Sequence, residues 1–233
     1  MKTIPLWAES VNMQRNELIK IIVTEIEKLQ LEHPVRVGVS GITASGKSTL
    51  AQEIALEIVS RGYPCIKASI DDFHHPKKVR YSEALSLAHA YYKNAHDYDA
   101  LIERLLKPLG KGGSLIYQTQ SLDLETDIPV NPEPQVASIN TILVVDGTFL
   151  FKEKLNDYWD FRIFVETDFE IALKRGIQRD QARLGGELST EKRYLERYHK
   201  ASKMYINDCH PISKAQVIVN NNDINFPELI KIS

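Results

Sequence analysis

The most specific chemical signal in the sequence is the octapeptide Gly41-Ile42-Thr43-Ala44-Ser45-Gly46-Lys47-Ser48. It has the form G-x-x-x-x-G-K-[ST], which is the phosphate-binding P-loop. The two glycines let the backbone turn and approach a phosphate closely, so that several N–H groups point at an anion where a helix begins. Lys47 can reach the β- and γ-phosphates, and the Ser48 hydroxyl can ligate Mg²⁺. We therefore predict a nucleoside triphosphate site built from Gly41, Thr43, Ala44, Ser45, Gly46, Lys47, Ser48 and Thr49.

Acidic residues follow two apolar segments at the point where each segment ends. Asp71 and Asp72 come directly after one such segment, and Asp146 follows another. Carboxylates at the carboxyl ends of parallel strands point into the crevice where α/β proteins bind ligands. We expect Asp146 to hold Mg²⁺ together with Ser48. We expect Asp71 or Asp72 to accept the proton of an attacking alcohol, and the alternative is that these acids are ordinary turn residues.

Three arginines, Arg175, Arg179 and Arg183, are spaced four residues apart and therefore share one face of a predicted helix. Such a stripe can close over a transferring phosphate and stabilise its charge. Gly185 and Gly186 follow directly and would let the segment hinge as a lid. The alternative is a solvated charged face. We assign a catalytic role to Arg179 first and phosphate binding to Arg175 and Arg183.

Five short apolar segments predict the strands that position these residues, and they alternate with segments of helical periodicity. This alternation is typical of an α/β fold. We expect a P-loop NTPase fold with a mainly parallel sheet of about five strands flanked by helices, one of them a lid helix. The predicted strands are 36–40, 64–70, 141–145, 161–165 and 216–219, and the predicted helices are 49–61, 168–184 and 190–208.

Three further segments are less regular. Ser10 could cap a helix whose apolar residues recur from Leu18 to Leu29, and this helix packs on the sheet or serves dimerisation or another partner. Residues 82–106 are mainly helical with an interruption at 94–99. Residues 107–138 contain several glycines and prolines, and they predict a small β excursion with a hairpin in 114–124.

Composition limits the class of protein. The 233 residues carry a net charge of −2, which gives no reason to expect nucleic-acid or membrane-surface binding. No apolar stretch reaches membrane-spanning length, and the two cysteines form no C-x-x-C motif, so we expect a cytoplasmic protein. We expect one domain over 1–233, with an N-terminal helical extension at 1–33, a core at 34–222 and the excursion at 107–138.

Histidines and tyrosines are numerous but show no metal or stacking motif. The histidine spacings match no zinc pattern, and we expect surface or core positions for them. Core packing is also the expected role of Tyr91, Tyr92 and Tyr98. The histidines considered are His74, His75, His89, His96, His199 and His210.

Together these motifs resemble the uridine kinase and phosphoribulokinase family, which also contains pantothenate and nicotinamide riboside kinases. The resemblance spans roughly 35–222 and rests on the P-loop, Asp71-Asp72-Phe73-His74, Asp146-Gly147-Thr148-Phe149-Leu150 and Arg175 with Arg179-Asp180. It implies that Asp71, the first acid of a D-x-F-[YHLF] segment, is the catalytic base. The family's R-x-x-R-D lid motif is matched only in part, because Gly176 fills its first arginine position. Asp72-Phe73-His74 also replaces the S-[FY]-Y of well-defined uridine kinases.

The resemblance implies a kinase that uses ATP and Mg²⁺ to phosphorylate a small hydroxyl-bearing acceptor. The expected catalytic residues are Asp71, Lys47 and Arg179, and uridine or a related nucleoside is the first candidate acceptor. A non-nucleoside alcohol such as pantothenate or a sugar phosphate is the alternative within enzymes. The alternative from another class is a nucleotide-dependent switch whose N-terminal helix binds a partner, and a homo-oligomer is compatible with either.

Overall fold

The computed structural model describes residues 11–12, 14–81 and 85–232 of the chain. The described residues contain strands in a central sheet and in two small ladders, together with helices of very different length. The strands are β1 (Val11–Asn12), β2 (Val35–Gly41), β3 (Cys65–Ser69), β4 (Ile116–Tyr117), β5 (Leu122–Asp123), β6 (Ile128–Pro129), β7 (Gln135–Val136), β8 (Ile142–Gly147), β9 (Phe161–Glu166), β10 (Val217–Asn220) and β11 (Glu228–Ile232). The helices are α1 (Arg15–Glu27), α2 (Lys47–Ser60), α3 (Lys77–Arg80), α4 (Leu87–Asn94), α5 (Tyr98–Leu101), α6 (Glu153–Asn156), α7 (Phe169–Leu184), α8 (Glu187–Arg193), α9 (Lys200–Cys209) and α10 (Pro211–Lys214).

Seven strands form the central sheet in the order β1-β11-β10-β9-β2-β8-β3. The five strands from β10 to β3 are parallel, which confirms the predicted α/β fold with a mainly parallel sheet. β11 and β1 extend the β10 edge as antiparallel strands, and the sequence analysis missed both. β11 is only half buried and mixes apolar with charged residues, so it lacks the continuous apolar pattern of a central strand.

The two central strands β2 and β8 are buried along their whole length. Successive side chains of a strand point to opposite faces of the sheet. Val144 of β8 accordingly packs with α1 and α2 on one face, and Val145 packs in the core formed with α4 and α9 on the other. Helices thus cover both faces, as parallel sheets require.

The N-terminal helix packs on this sheet, as predicted. Leu18, Ile22 and Ile26 of α1 are fully buried against the sheet and α2. The helix begins at Arg15 after Gln14, and Ser10, the expected cap, lies outside the described residues. The apolar face that could have served a partner is therefore occupied within the chain.

The segment between β3 and β8 contains the predicted helices and the predicted β excursion. The helix predicted over 82–106 begins at Leu87 in the described residues, after the short α3, and is interrupted between Asn94 and Tyr98. The expected beginning at Ser82 lies outside the described residues. The helical run ends in a wider π-helical turn at Ile102–Leu106. β4 pairs with β7 and β5 with β6, so the predicted hairpin within 114–124 is wrong about its partners. In both ladders the second strand, β6 or β7, lies after residue 124. None of the described helices has the length and apolarity that crossing a bilayer needs.

Candidate active site

The P-loop joins the end of β2 to the beginning of α2, the context that the motif requires. Both of its glycines are structurally necessary. A Cβ on Gly41 would lie 2.7 Å from the Val165 carbonyl oxygen, and Gly46 has φ +90°, which disfavours any other residue. The hydroxyls of Thr43 and Ser45 are buried and have no hydrogen-bond partner. Unpaired donors in such a loop fit the binding of a phosphate, which would accept from them.

Residues after two neighbouring strands hold the loop in place. Asn221 Nδ2 donates to the Ser45 carbonyl oxygen at 2.7 Å, and Thr167 Oγ1 donates to the same oxygen at 3.2 Å. Arg15 Nη1 donates to Asn221 Oδ1 at 3.0 Å, and its guanidinium also pairs with Glu53 of α2 at 2.7 Å. Sequence reasoning missed these anchors, because they become neighbours only when the sheet forms.

Ser48 and Asp146 meet as predicted. Ser48 Oγ donates to Asp146 Oδ2 at 2.5 Å, and Asp146 is buried at the end of β8. Lys67 of β3, which the sequence analysis did not single out, lies with its Nζ 2.9 Å from Asp146 Oδ1. A hydroxyl and a carboxylate oxygen are the hard donors that Mg²⁺ prefers, so this pair fits the expected metal.

Lys47 interacts electrostatically with two carboxylates, those of Asp71 and Asp146. Burial lowers the pKa of Lys47, and the negative charges of Asp71 and Asp146 oppose that shift. Its Nζ donates to the Ile42 carbonyl oxygen at 3.4 Å, which folds the side chain back over the loop. The ammonium group therefore lies within the field of both predicted acids, next to the loop.

Asp71 and Asp72 lie in a 3₁₀ turn, Ile70–Phe73, that follows β3 directly. The Asp71 side chain is 64% exposed, and its Oδ1 lies 3.7 Å from Nε2 of the fully buried His96. Desolvation acts to raise the pKa of Asp71, but interaction with His96, His74 and Lys47 outweighs it and keeps the pKa well below its usual range. Asp71 is therefore ionised at neutral pH.

Asp72 has a different environment. Desolvation and the neighbouring charge of Asp71 raise the pKa of Asp72 above its ordinary value, although Lys67 opposes them. Its backbone carbonyl accepts a hydrogen bond from Ser121 N at 2.9 Å, which ties the turn to the β excursion. The two acids thus face different neighbours, as expected for successive residues at a strand end.

The arginine stripe lies on α7, but Arg175 has different partners from Arg179 and Arg183. Arg175 donates to the carbonyl oxygens of Asn221 and Asn222, each at 2.9 Å, so in this structure it braces the loop after β10. Arg179 is 60% exposed and pairs with Asp180 at 2.9 Å. Arg183 reaches the same carboxylate at 3.4 Å. The charge of Arg179 also lowers the pKa of Lys47, so Arg179 is near the P-loop.

Gly176, where the sequence departs from R-x-x-R-D, has a clear packing reason. A Cβ at this position would lie 2.2 Å from ring atoms of Tyr194, which is fully buried. The Tyr194 hydroxyl donates to Asp180 Oδ2 at 2.7 Å. The tyrosine ring thus occupies the space that a larger residue on α7 would need.

Comparison with known proteins agrees with this geometry. Residues 36–225 match the Phosphoribulokinase / Uridine kinase family. The chain belongs to this family. Its members transfer phosphate to an alcohol acceptor, so this kinase is an enzyme and not the nucleotide-dependent switch weighed as an alternative.

Similarity to individual members of the family is low. The kinase is 27% identical over 177 residues to Uridine-cytidine kinase B of Dictyostelium discoideum, covering 76% of this chain and 70% of that one. It is 26% identical over 187 residues to a Pantothenate kinase of Streptococcus thermophilus, covering 76% of this chain and 60% of that one. Two further relatives are longer proteins, of which the alignments span 38%.

A solved structure supports the fold. The structure of a "Possible Uridine Kinase from Bacillus stearothermophilus" superposes with a TM-score of 0.68 at 20% identity, covering 87% of this chain and 97% of that one. At this identity the likeness concerns the fold alone. The expected P-loop kinase fold is confirmed.

Proposed function

We propose that this kinase transfers the γ-phosphate of ATP to the hydroxyl group of a small acceptor, with uridine or a related nucleoside as the first candidate. The observation that carries the proposal is the arrangement around Lys47. The charges of Asp71 and Asp146 both act on Lys47, Ser48 of the same loop donates to Asp146 at 2.5 Å, and Asp71 follows β3, the strand next to the one that carries Asp146. Binding without transfer needs no carboxylate for an alcohol proton.

In this proposal the P-loop and Lys47 bind the phosphates of the donor. Asp71, ionised and largely exposed, accepts the proton of the acceptor hydroxyl as that hydroxyl attacks. Ser48 and Asp146 would hold Mg²⁺, which when bound neutralises charge on the β- and γ-phosphates. Arg179 breaks its ion pair with Asp180, or contacts Asp180 and the phosphate together, and so stabilises the transferring phosphate. Arg175 and Arg183 add positive charge from the same helix.

Relatives with two different classes of acceptor are similar to this chain. A uridine-cytidine kinase is 27% identical, and a pantothenate kinase is 26% identical, so similarity alone favours neither. The pantothenate kinase is the specific observation that keeps a non-nucleoside alcohol as the second candidate. Both acceptors present a hydroxyl to the same carboxylate.

A phosphorylation screen tests the proposal. The purified protein is incubated with ATP, Mg²⁺ and panels of nucleosides, vitamins and sugar phosphates, and phosphorylated products are detected by mass spectrometry. We expect one class of acceptor, nucleosides first, to give product with the wild type and none with Lys47→Ala. Product from a vitamin or sugar phosphate alone would replace the first candidate by the second. ATP hydrolysis without any phosphorylated acceptor would contradict the proposed function.

A further inference from the structure

Asp71, His74 and His96 form a group of three potential metal ligands at the edge of the candidate active site. We call this group the Asp71–His74–His96 cluster. One ligand atom from each residue lies within 4.8 Å of the other two. The cluster differs from the predicted Mg²⁺ pair of Ser48 and Asp146, because it combines one carboxylate with two imidazoles.

Backbone hydrogen bonds build the cluster into the fold. His75 N donates to the Ala95 carbonyl oxygen at 3.0 Å, and Asp97 N donates to the Phe73 carbonyl oxygen at 2.7 Å. These two bonds flank His74 and His96 and place their rings 4.5 Å apart. The spacing of the histidines in the sequence did not reveal this cluster, because the two backbone hydrogen bonds join segments that are far apart along the chain.

His96 is the second, independent sign of a ligand. Its side chain has 0% exposure, and neither ring nitrogen has a hydrogen-bond partner. Nε2 faces Asp71 Oδ1 at 3.7 Å, which is too long for a hydrogen bond. Buried polar groups are nearly always paired, so a buried imidazole with two unpaired nitrogens needs an explanation.

His74 already has the hydrogen bond that is typical of a metal-binding histidine. Its Nδ1 lies 2.8 Å from the Asp71 carbonyl oxygen, and because the carbonyl only accepts, Nδ1 must carry the proton. In the neutral ring Nε2 then offers a lone pair. Metal-bound histidines usually donate their other N–H to a carbonyl or carboxylate in this way.

We infer that the Asp71–His74–His96 cluster binds a Zn²⁺ ion, and that the bound ion inhibits phosphate transfer by occupying the carboxylate of Asp71. Two imidazoles, one carboxylate and a water complete the four-coordinate site that zinc prefers, whereas Mg²⁺ prefers oxygen ligands. The ion can enter from the side of Asp71, whose side chain is 64% exposed. The inhibitory half of the inference rests on the proposed function, and zinc binding does not.

Direct binding measurements test the first half. Zn²⁺ affinity and stoichiometry are measured by competition with a chromophoric chelator, and Co²⁺ is used as a spectroscopic substitute. We expect one ion per wild-type chain and a loss of affinity of about tenfold or more in His96→Gln and in His74→Gln. Circular dichroism and thermal unfolding show whether each variant is folded, and the two variants provide independent readings.

His199→Gln is the matched control. His199 is also buried and has an unpaired Nε2, but it packs against Phe169 outside the cluster. Its replacement should leave zinc affinity unchanged. Absence of micromolar binding to the wild type, or equal weakening by His199→Gln, would overturn the inference.

Rate measurements at buffered free Zn²⁺ test the second half. With excess ATP and Mg²⁺, zinc should inhibit the wild type and should inhibit His96→Gln about tenfold less effectively, each relative to its own zinc-free rate. Binding of one Zn²⁺ ion to the cluster with no fall in the rate of phosphate transfer would overturn the inhibitory role. If the acceptor screen instead fails, the binding measurements still decide the zinc site, so the two failures are distinguishable.

Discussion

Asn221 Nδ2 donates a 2.7 Å hydrogen bond to the carbonyl oxygen of Ser45, and so connects the end of β10 to the P-loop. The same amide accepts a hydrogen bond from Arg15 of α1 at 3.0 Å. The N-terminal helix is therefore linked to the P-loop through a single side chain. This gives the helix a role in positioning the loop, in addition to covering one face of the sheet.

Replacing Asn221 by Ala should weaken ATP binding without unfolding the protein. The Ser45 carbonyl would lose its closer donor, and one hydrogen bond contributes about 0.5–1.5 kcal/mol, so we expect the Kd for ATP to rise about 2-fold to 13-fold. Isothermal titration calorimetry measures this directly. Arg15→Gln should weaken binding in the same direction and by less, because Thr167 and Asn221 still hold Ser45.

Arg61→Gln is the control for this prediction. Arg61 also joins α2 to α1, through Glu27 at 2.7 Å, but it lies at the other end of α2 from the P-loop. We expect a modest loss of stability and an unchanged Kd for ATP. If Arg61→Gln weakens ATP binding as much as Asn221→Ala does, then ATP binding depends on the packing of α1 as a whole and not on the hydrogen bonds of Asn221.

Replacing Asp71 by Asn should abolish turnover and leave ATP binding nearly intact. The amide cannot accept the hydroxyl proton, and loss of a general base typically costs about 10²–10⁴-fold in rate. The measurements are kcat with the acceptor found by screening and the Kd for ATP. Asp72→Asn is the matched comparison, and turnover lost in Asp72→Asn but retained in Asp71→Asn would move the base to Asp72.

Replacing Asp146 by Asn should raise the Mg²⁺ concentration that gives half-maximal rate by about 10–100-fold, as expected for damage to a metal site. The amide keeps an oxygen near Ser48 but loses the charge that attracts the cation. Initial rates over a Mg²⁺ titration measure this effect. Asp160→Asn is the control, since Asp160 also pairs with a cation, Arg36 at 3.0 Å, at the opposite end of the strands. An unchanged Mg²⁺ requirement in Asp146→Asn would contradict the assignment.

The sequence predicted the parts of the site that depend on local pattern. The P-loop, the five parallel strands and the acids at the ends of β3 and β8 all follow from short stretches of residues. Asp146 and Ser48 meet because both lie at the same edge of neighbouring strands, a consequence of the parallel sheet. The residue pattern and the parallel topology together were sufficient to predict the contact between Asp146 and Ser48.

Contacts between distant loops were beyond prediction from sequence. His96 approaches Asp71 only because a backbone bridge joins two segments, and Arg175 donates to loop carbonyls that no periodicity places. β11 was not predicted because it lies next to the edge of the sheet, is only partly buried and has no continuous apolar run. These features depend on side-chain and loop geometry that one sequence does not determine.

Replacing Gly176 by Ala should destabilise the protein. Alanine favours a helix over glycine by about 1 kcal/mol, but here the new Cβ would lie 2.2 Å from the buried Tyr194 ring. Overpacking of a core costs about 1–3 kcal/mol, so we expect a net fall in the free energy of unfolding. Urea denaturation measures it. Gln178→Ala on the exposed side of the same helix should change stability by less than about 0.5 kcal/mol, and a stabilised Gly176→Ala would show that Tyr194 moves freely.

Asp180 should make stability depend on pH in a predictable direction. Desolvation acts to raise the pKa of Asp180, but hydrogen bonds from Arg179 and Tyr194 outweigh it and lower the pKa below its unfolded value. A group with a lowered folded pKa stabilises the protein above the unfolded pKa, near 3.9, and that contribution disappears as pH falls through the folded pKa.

Replacing Asp180 by Asn should therefore cost about 1–3 kcal/mol at pH 7, the usual cost of leaving buried partners of a charged group unsatisfied. The difference from wild type should narrow as the pH falls below about 4, where the wild-type carboxylate takes up its proton. Urea unfolding at a series of pH values measures both. Glu125→Gln, in an exposed turn, should differ little from wild type at any pH. A cost for Asp180→Asn that stays constant down to pH 3 would show that packing, and not the charge of Asp180, provides the stabilisation.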